Sequence, residues 1–126
     1  METKQRKELQ KHFRKEVFEV LELISSKDEQ LDYQEKAPIA YVSAELFNQW
    51  EDCYQIPRNQ QWYKDAFSET EHQILKEFDE TFEKVCDETP QNPPDIKEFI
   101  YTPEWKTLSG AAIKALEKLN ENKSNN

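Results

Sequence analysis

The residues with chemical potential are few. Glu69-Thr-Glu-His72 contains a Glu-x-x-His spacing, the pattern by which facing helices of carboxylate-bridged di-iron bundles supply ligands. Such a site needs a second copy of the motif and further inward glutamates. The only other histidine, His12, has Leu9 three residues before it, and Glu69 points away from the apolar stripe of its helix. This argues against a di-iron site and for Glu69 and His72 as helix-terminal cap and surface residues. Two histidines and two cysteines, Cys53 and Cys86, allow a Cys–His nucleophile pair on paper, yet no local pattern supports one. Both cysteines fall in apolar helical stripes and read as reduced, buried small hydrophobes. A single disulfide between them is the alternative. With 26 acidic residues, acid–base carboxylate pairs are too easy to find to be informative. The chemistry-bearing residues therefore point away from an enzyme and from any metal or cofactor.

The cluster that stands out is aromatic and acidic. Trp50-Glu-Asp-Cys-Tyr54 is followed by Trp62-Tyr63-Lys-Asp65, and Tyr and Trp are enriched at binding hot spots. Trp50 and Phe67 fit core positions. Tyr54, Trp62 and Tyr63 fit either core or a binding surface. Between Glu69 and Glu88 there are eight acids against two lysines. With Phe78 at the centre of that helix's buried face, Glu69, Glu80, Glu83 and Asp87 lie near the opposite side. They form either a solvated outer face or a surface aimed at a basic partner. The candidate binding residues are accordingly Tyr54, Trp62, Tyr63, Glu80, Glu83 and Asp87.

The elements that must position them are helical. Leu9, Phe13, Val17, Val20, Leu21 and Ile24 recur at the helical period, predicting a first helix over about Lys4–Ser26. Lys27–Ala40 carries no clean period and contains Pro38, so it reads as a connection with at most a short helical turn. Val42, Leu46, Phe47, Trp50, Cys53 and Tyr54 share one face of a second helix over about Ser43–Tyr54, which Pro57 ends. Gln55–Phe67 reads as a long connection. Ser68-Glu-Thr-Glu71 is a capping box that opens a third helix, with Ile74, Leu75, Phe78, Phe82, Val85 and Cys86 buried. Thr89–Pro94 stops it, and a short helix is expected over Asp95–Ile100. Thr102 as N-cap and Pro103 at the first helical position start the last helix, whose stripe is Trp105, Leu108, Ala112, Ala115, Leu116 and Leu119. Gly110 lies within it, as a tolerated glycine or a point of close helix approach. Residues 120–126 have nothing to bury and are expected to be a disordered tail. The expectation is an all-α domain over 1–119, an irregular bundle of four main helices plus one short one.

Composition agrees and narrows the function. The 126 residues suit one domain. The single glycine leaves no glycine-rich phosphate loop. Net charge is −9, unsuited to nucleic-acid binding by phosphate neutralisation. No apolar run reaches the roughly 20 residues of a membrane span, and the charged N-terminus lacks the apolar core of a signal peptide. A cytoplasmic protein is expected. Charge is uneven: residues 1–16 hold six basic against three acidic side chains, while the remainder carries −12.

Phe47-Asn-Gln-Trp50-Glu-Asp, Phe67-Ser68-x-x-Glu71-x-x-x-Leu75-x-x-Phe78 and Thr102-Pro103-x-Trp105-x-x-Leu108-x-x-x-Ala112 together resemble small all-helical bacterial immunity proteins. These are the cognate inhibitors carried beside polymorphic or contact-dependent toxins. The resemblance spans roughly Leu46 to Leu119 and rests on cap and core positions. It implies one protein partner, expected to be a basic toxin domain, bound stoichiometrically without a cofactor. The competing expectation is a general interaction or regulatory domain of a bacterial or phage operon, including an acidic DNA mimic.

Overall fold

The computed structural model describes residues 3–124, and these are all-α, with no strand among them. Helix α1 spans Thr3–Ser25, α2 Lys27–Lys36 and α3 Val42–Trp50. A π-helical turn over Glu51–Gln55 follows directly. Then come α4 (Gln61–Lys64), α5 (Glu69–Glu88), α6 (Ile96–Phe99) and α7 (Pro103–Ser124). Among the described residues, seven α-helices thus replace the expected four and one.

The frame is made by α1, α5 and α7. The Ser109 hydroxyl donates to the Ser25 carbonyl at 3.3 Å, while Arg14, Phe18, Leu119 and Asn122 line a common groove, so α1 and α7 run antiparallel. Lys118 pairs with Glu77 at 2.9 Å, and Thr81 lies near Ala111, so α5 and α7 are antiparallel too. Helices α1 and α5 therefore point the same way. Their stripes meet in one core that includes Val17, Leu21, Ile24, Leu75, Phe78, Phe82, Leu108 and Ala112. The sequence placed these residues correctly because the apolar positions follow the helical period. Gly110 is exposed, and a Cβ there would touch nothing; it is a tolerated glycine, not a close approach.

Four boundaries differ from expectation. Lys27–Lys36 is a full helix, N-capped by the Ser26 hydroxyl, which accepts from Glu29 N–H at 3.1 Å. Its buried residue is a glutamine, which no apolar period can reveal. The fully buried Gln30 donates to the carbonyls of Leu23 and Ile24 at 2.9 and 3.0 Å. Its own carbonyl accepts from the Trp105 indole at 2.8 Å. Trp105, expected in the core stripe, is only half-buried. Second, the helix expected through Tyr54 changes at Trp50 into the wider π turn, closed by Ile56 N–H to Glu51 O at 2.9 Å. Third, the connection Gln55–Phe67 holds that turn's end and α4. Fourth, α7 continues past Leu119 through the polar stretch to Ser124, and residues 125–126 lie outside the described ones.

Candidate partner-binding surface

Helix α5 is held at its start by the expected capping box. Ser68 Oγ accepts from Glu71 N–H at 3.1 Å, and the Glu71 carboxylate accepts from Ser68 N–H at 2.8 Å. Glu71 does more than cap. Arg14 of α1 donates to both its oxygens, at 2.9 and 3.1 Å, and also to the Ala66 carbonyl at 2.8 Å. Burial pushes the Glu71 carboxyl up, but the Arg14 hydrogen bonds and charge and the Ser68 bonds reverse this, and it sits below the usual glutamate value.

Two turns on, Asp79 is a second buried carboxylate. One oxygen accepts from the Trp50 indole at 3.0 Å and from the Gln55 amide at 2.8 Å; the other accepts from Arg58 at 2.9 Å. Asp79 thus fastens α3, the π turn and the loop after it onto α5. Sequence reasoning missed this residue. The available signal was its register, three residues before Phe82 and four after Leu75, which places a charge on the buried stripe.

The candidate binding residues separate into three places. Tyr63 is fully buried, and its hydroxyl donates to the Cys53 carbonyl at 2.7 Å. Its ring meets Phe67 at 5.3 Å and Phe13 at 5.9 Å. It cannot touch a partner, which corrects the expectation for it. Tyr54 is also buried, stacked on Trp50 at 4.7 Å with the Arg58 guanidinium over its ring. Burial, and then the Asp79 charge, push its hydroxyl up. Trp62 is half-buried against Phe13 at 5.4 Å, and its carbonyl accepts from Gln10. It belongs to the α1 side of the molecule. Adjacent residues on a helical turn point about 100° apart, and here Tyr63 turns into the core while Trp62 lies at its edge.

Glu80, Glu83 and Asp87 are exposed, as expected. At spacings of three and four they form one row along α5. Glu83 also accepts from the Gln55 amide. Across the seam stands exposed Glu51 of the π turn. Glu51 lines a groove of about 250 Å³ whose walls mix Phe47, Cys86 and Pro90 with Asn48 and Gln91. Its far wall, the Thr89–Pro94 segment, is fixed to α3: the Tyr41 hydroxyl donates to the Pro93 carbonyl, and the Ser43 hydroxyl to Pro94 at 2.7 Å. Phe47 is held from below by Phe82 at 5.6 Å and Phe99 at 6.0 Å. No protein-family model, curated protein or solved structure matches the chain.

The remaining chemical candidates are accounted for by local contacts. Both cysteines are free. Burial pushes each thiol up to about 12; the nearby carboxylates of Glu83, Glu51, Asp87 and Asp79 add to this at Cys86. Neither is a ready nucleophile, because the thiolate is the reactive form. A ring nitrogen of His72 lies 2.6 Å from the Lys64 carbonyl, and Glu69 is exposed. No group of three or more possible metal ligands gathers among the described residues. No described helix is long and apolar enough to cross a membrane.

Proposed function

We propose that the chain is a protein-binding inhibitor, an immunity protein that neutralises a basic toxin domain in the cytoplasm by stoichiometric occlusion. The observation that carries this reading is the acidic edge: Glu80, Glu83 and Asp87 in one exposed row, and beside it a groove that holds Glu51 and exposes Phe47, Cys86 and Pro90 among polar side chains. Such an edge steers a basic partner through charge and offers apolar surface once contact is made. The sequence resemblance to immunity proteins supports the same reading. The interface so proposed excludes three of the expected residues: Tyr54 and Tyr63 are buried, and Trp62 packs against Phe13 of α1. The test is titration against the product of the toxin gene encoded beside this one. A 1:1 complex that abolishes toxin activity is expected. Absence of binding, or no toxin gene in the neighbourhood, would overturn the reading.

A further inference from the structure

The first turns of α1 are the counterpart of the acidic edge. Thr3 to Glu8 are exposed at every position. Lys4, Lys7 and Lys11 lie on one face at spacings of three and four, and no ion pair engages them among the described residues. Glu80, Glu83 and Asp87 repeat the same spacing with opposite charge. Each row is about 10 Å long at a rise of 1.5 Å per residue. Lys76 and Lys84 flank the acidic row, but Glu51 across the seam leaves the edge net negative.

A molecule cannot join its own two rows. Arg14 is bonded to Glu71, and α1 and α5 are parallel. Lys7 lies about 10 Å back from Arg14, and Cys86 about 22 Å on from Glu71, so the rows stand about 30 Å apart along rigid helices. We propose that the lysine row of one copy docks on the acidic edge of a second copy, giving salt-sensitive head-to-tail self-association. The lysine stems lie over the Phe47–Pro90 groove while the ammonium groups meet Glu51, Glu83 and Asp87. The two patches are different surfaces of one chain, so the contact is heterologous and each dimer keeps one free row of each kind. The docked copy occupies the edge proposed for the toxin, so partner and self-association compete.

Sedimentation velocity on the full chain tests this without any toxin. The parent should gain average mass with concentration at low salt and return to monomer at about 1 M salt, where the screening length falls to about 3 Å. The row variant Lys4→Gln/Lys7→Gln/Lys11→Gln and the edge variant Glu80→Gln/Glu83→Gln/Asp87→Asn should each self-associate about tenfold or more weakly. Mixed in equal amounts, they should form a dimer and nothing larger, because each supplies the row the other lacks. A parent that stays monomeric at low salt, or a mixture that stays monomeric, overturns the proposal. The row variant keeps its acidic edge, so it should still inhibit the toxin while losing self-association. Failure of toxin binding alone leaves the self-association standing.

Discussion

Helix α5 carries two sets of carboxylates with opposite duties. Glu71 and Asp79 face inward, and each collects an arginine from elsewhere in the chain and at least one further donor, Ser68 N–H at Glu71 and the Trp50 indole and Gln55 amide at Asp79. Glu80, Glu83 and Asp87 face outward and are exposed. Residue type and helix are shared; only the angle about the helix axis differs. Inward carboxylates replace water with fixed donors, so removing one strands those donors in the interior. Outward carboxylates stay hydrated and contribute little to folding, which leaves them available to a partner. The division separates what holds this fold together from what it presents.

The largest break in that contrast is expected at Asp79. Asp79→Ala leaves the buried Trp50 indole without its acceptor and Arg58 without its carboxylate. Urea denaturation should show a loss of about 3 kcal/mol. Glu71→Ala should cost less, about 2 kcal/mol, because Arg14 is partly solvated and about half the loss is the cap. Ser68→Ala, which removes only the other half of the capping box, the hydroxyl that accepts from Glu71 N–H, should cost about 1 kcal/mol by the same denaturation.

Acid sharpens the comparison further. The folded Glu71 carboxyl titrates below its usual value of about 4.3. Its contribution to stability is therefore complete above that value and is lost as pH falls through the lower folded value. A pH series of denaturation midpoints should fall in that acid window for the parent. In Glu71→Gln the fall should be shallower.

How far these duties were legible differs by residue. Ser68 and Glu71 announced the start of α5 because a capping box is a local pattern. Thr102 and Pro103 did the same for α7. The second duty of Glu71, holding Arg14 across 57 residues of sequence, leaves no local mark. Asp79 was not singled out, because a charged residue on the buried stripe makes no local pattern. Helix α2 was missed because its buried residue is Gln30, whose worth lies in three hydrogen bonds and not in apolarity. Trp105→Phe, which takes the indole donor from Gln30, should cost about 1 kcal/mol by thermal or urea denaturation. The outward set was placed correctly, since Glu80, Glu83 and Asp87 lie opposite Phe78. Tyr63 was the misjudged anchor, because two adjacent aromatics gave no sign of which one turned in.

The smallest expected effect on folding belongs to the outward set, and it carries the central claim. Glu80→Gln/Glu83→Gln/Asp87→Asn should change stability by no more than about 0.5 kcal/mol. The same variant should bind the neighbouring toxin domain with a slower association rate and a flatter dependence on salt, while dissociation changes little. Association kinetics of parent and triple variant, at low salt and at about 0.15 M, decide the matter. A slowed, salt-insensitive association in a fully folded variant is the predicted result. An association rate equal to the parent's at both salt concentrations would contradict the account and place the partner on another surface.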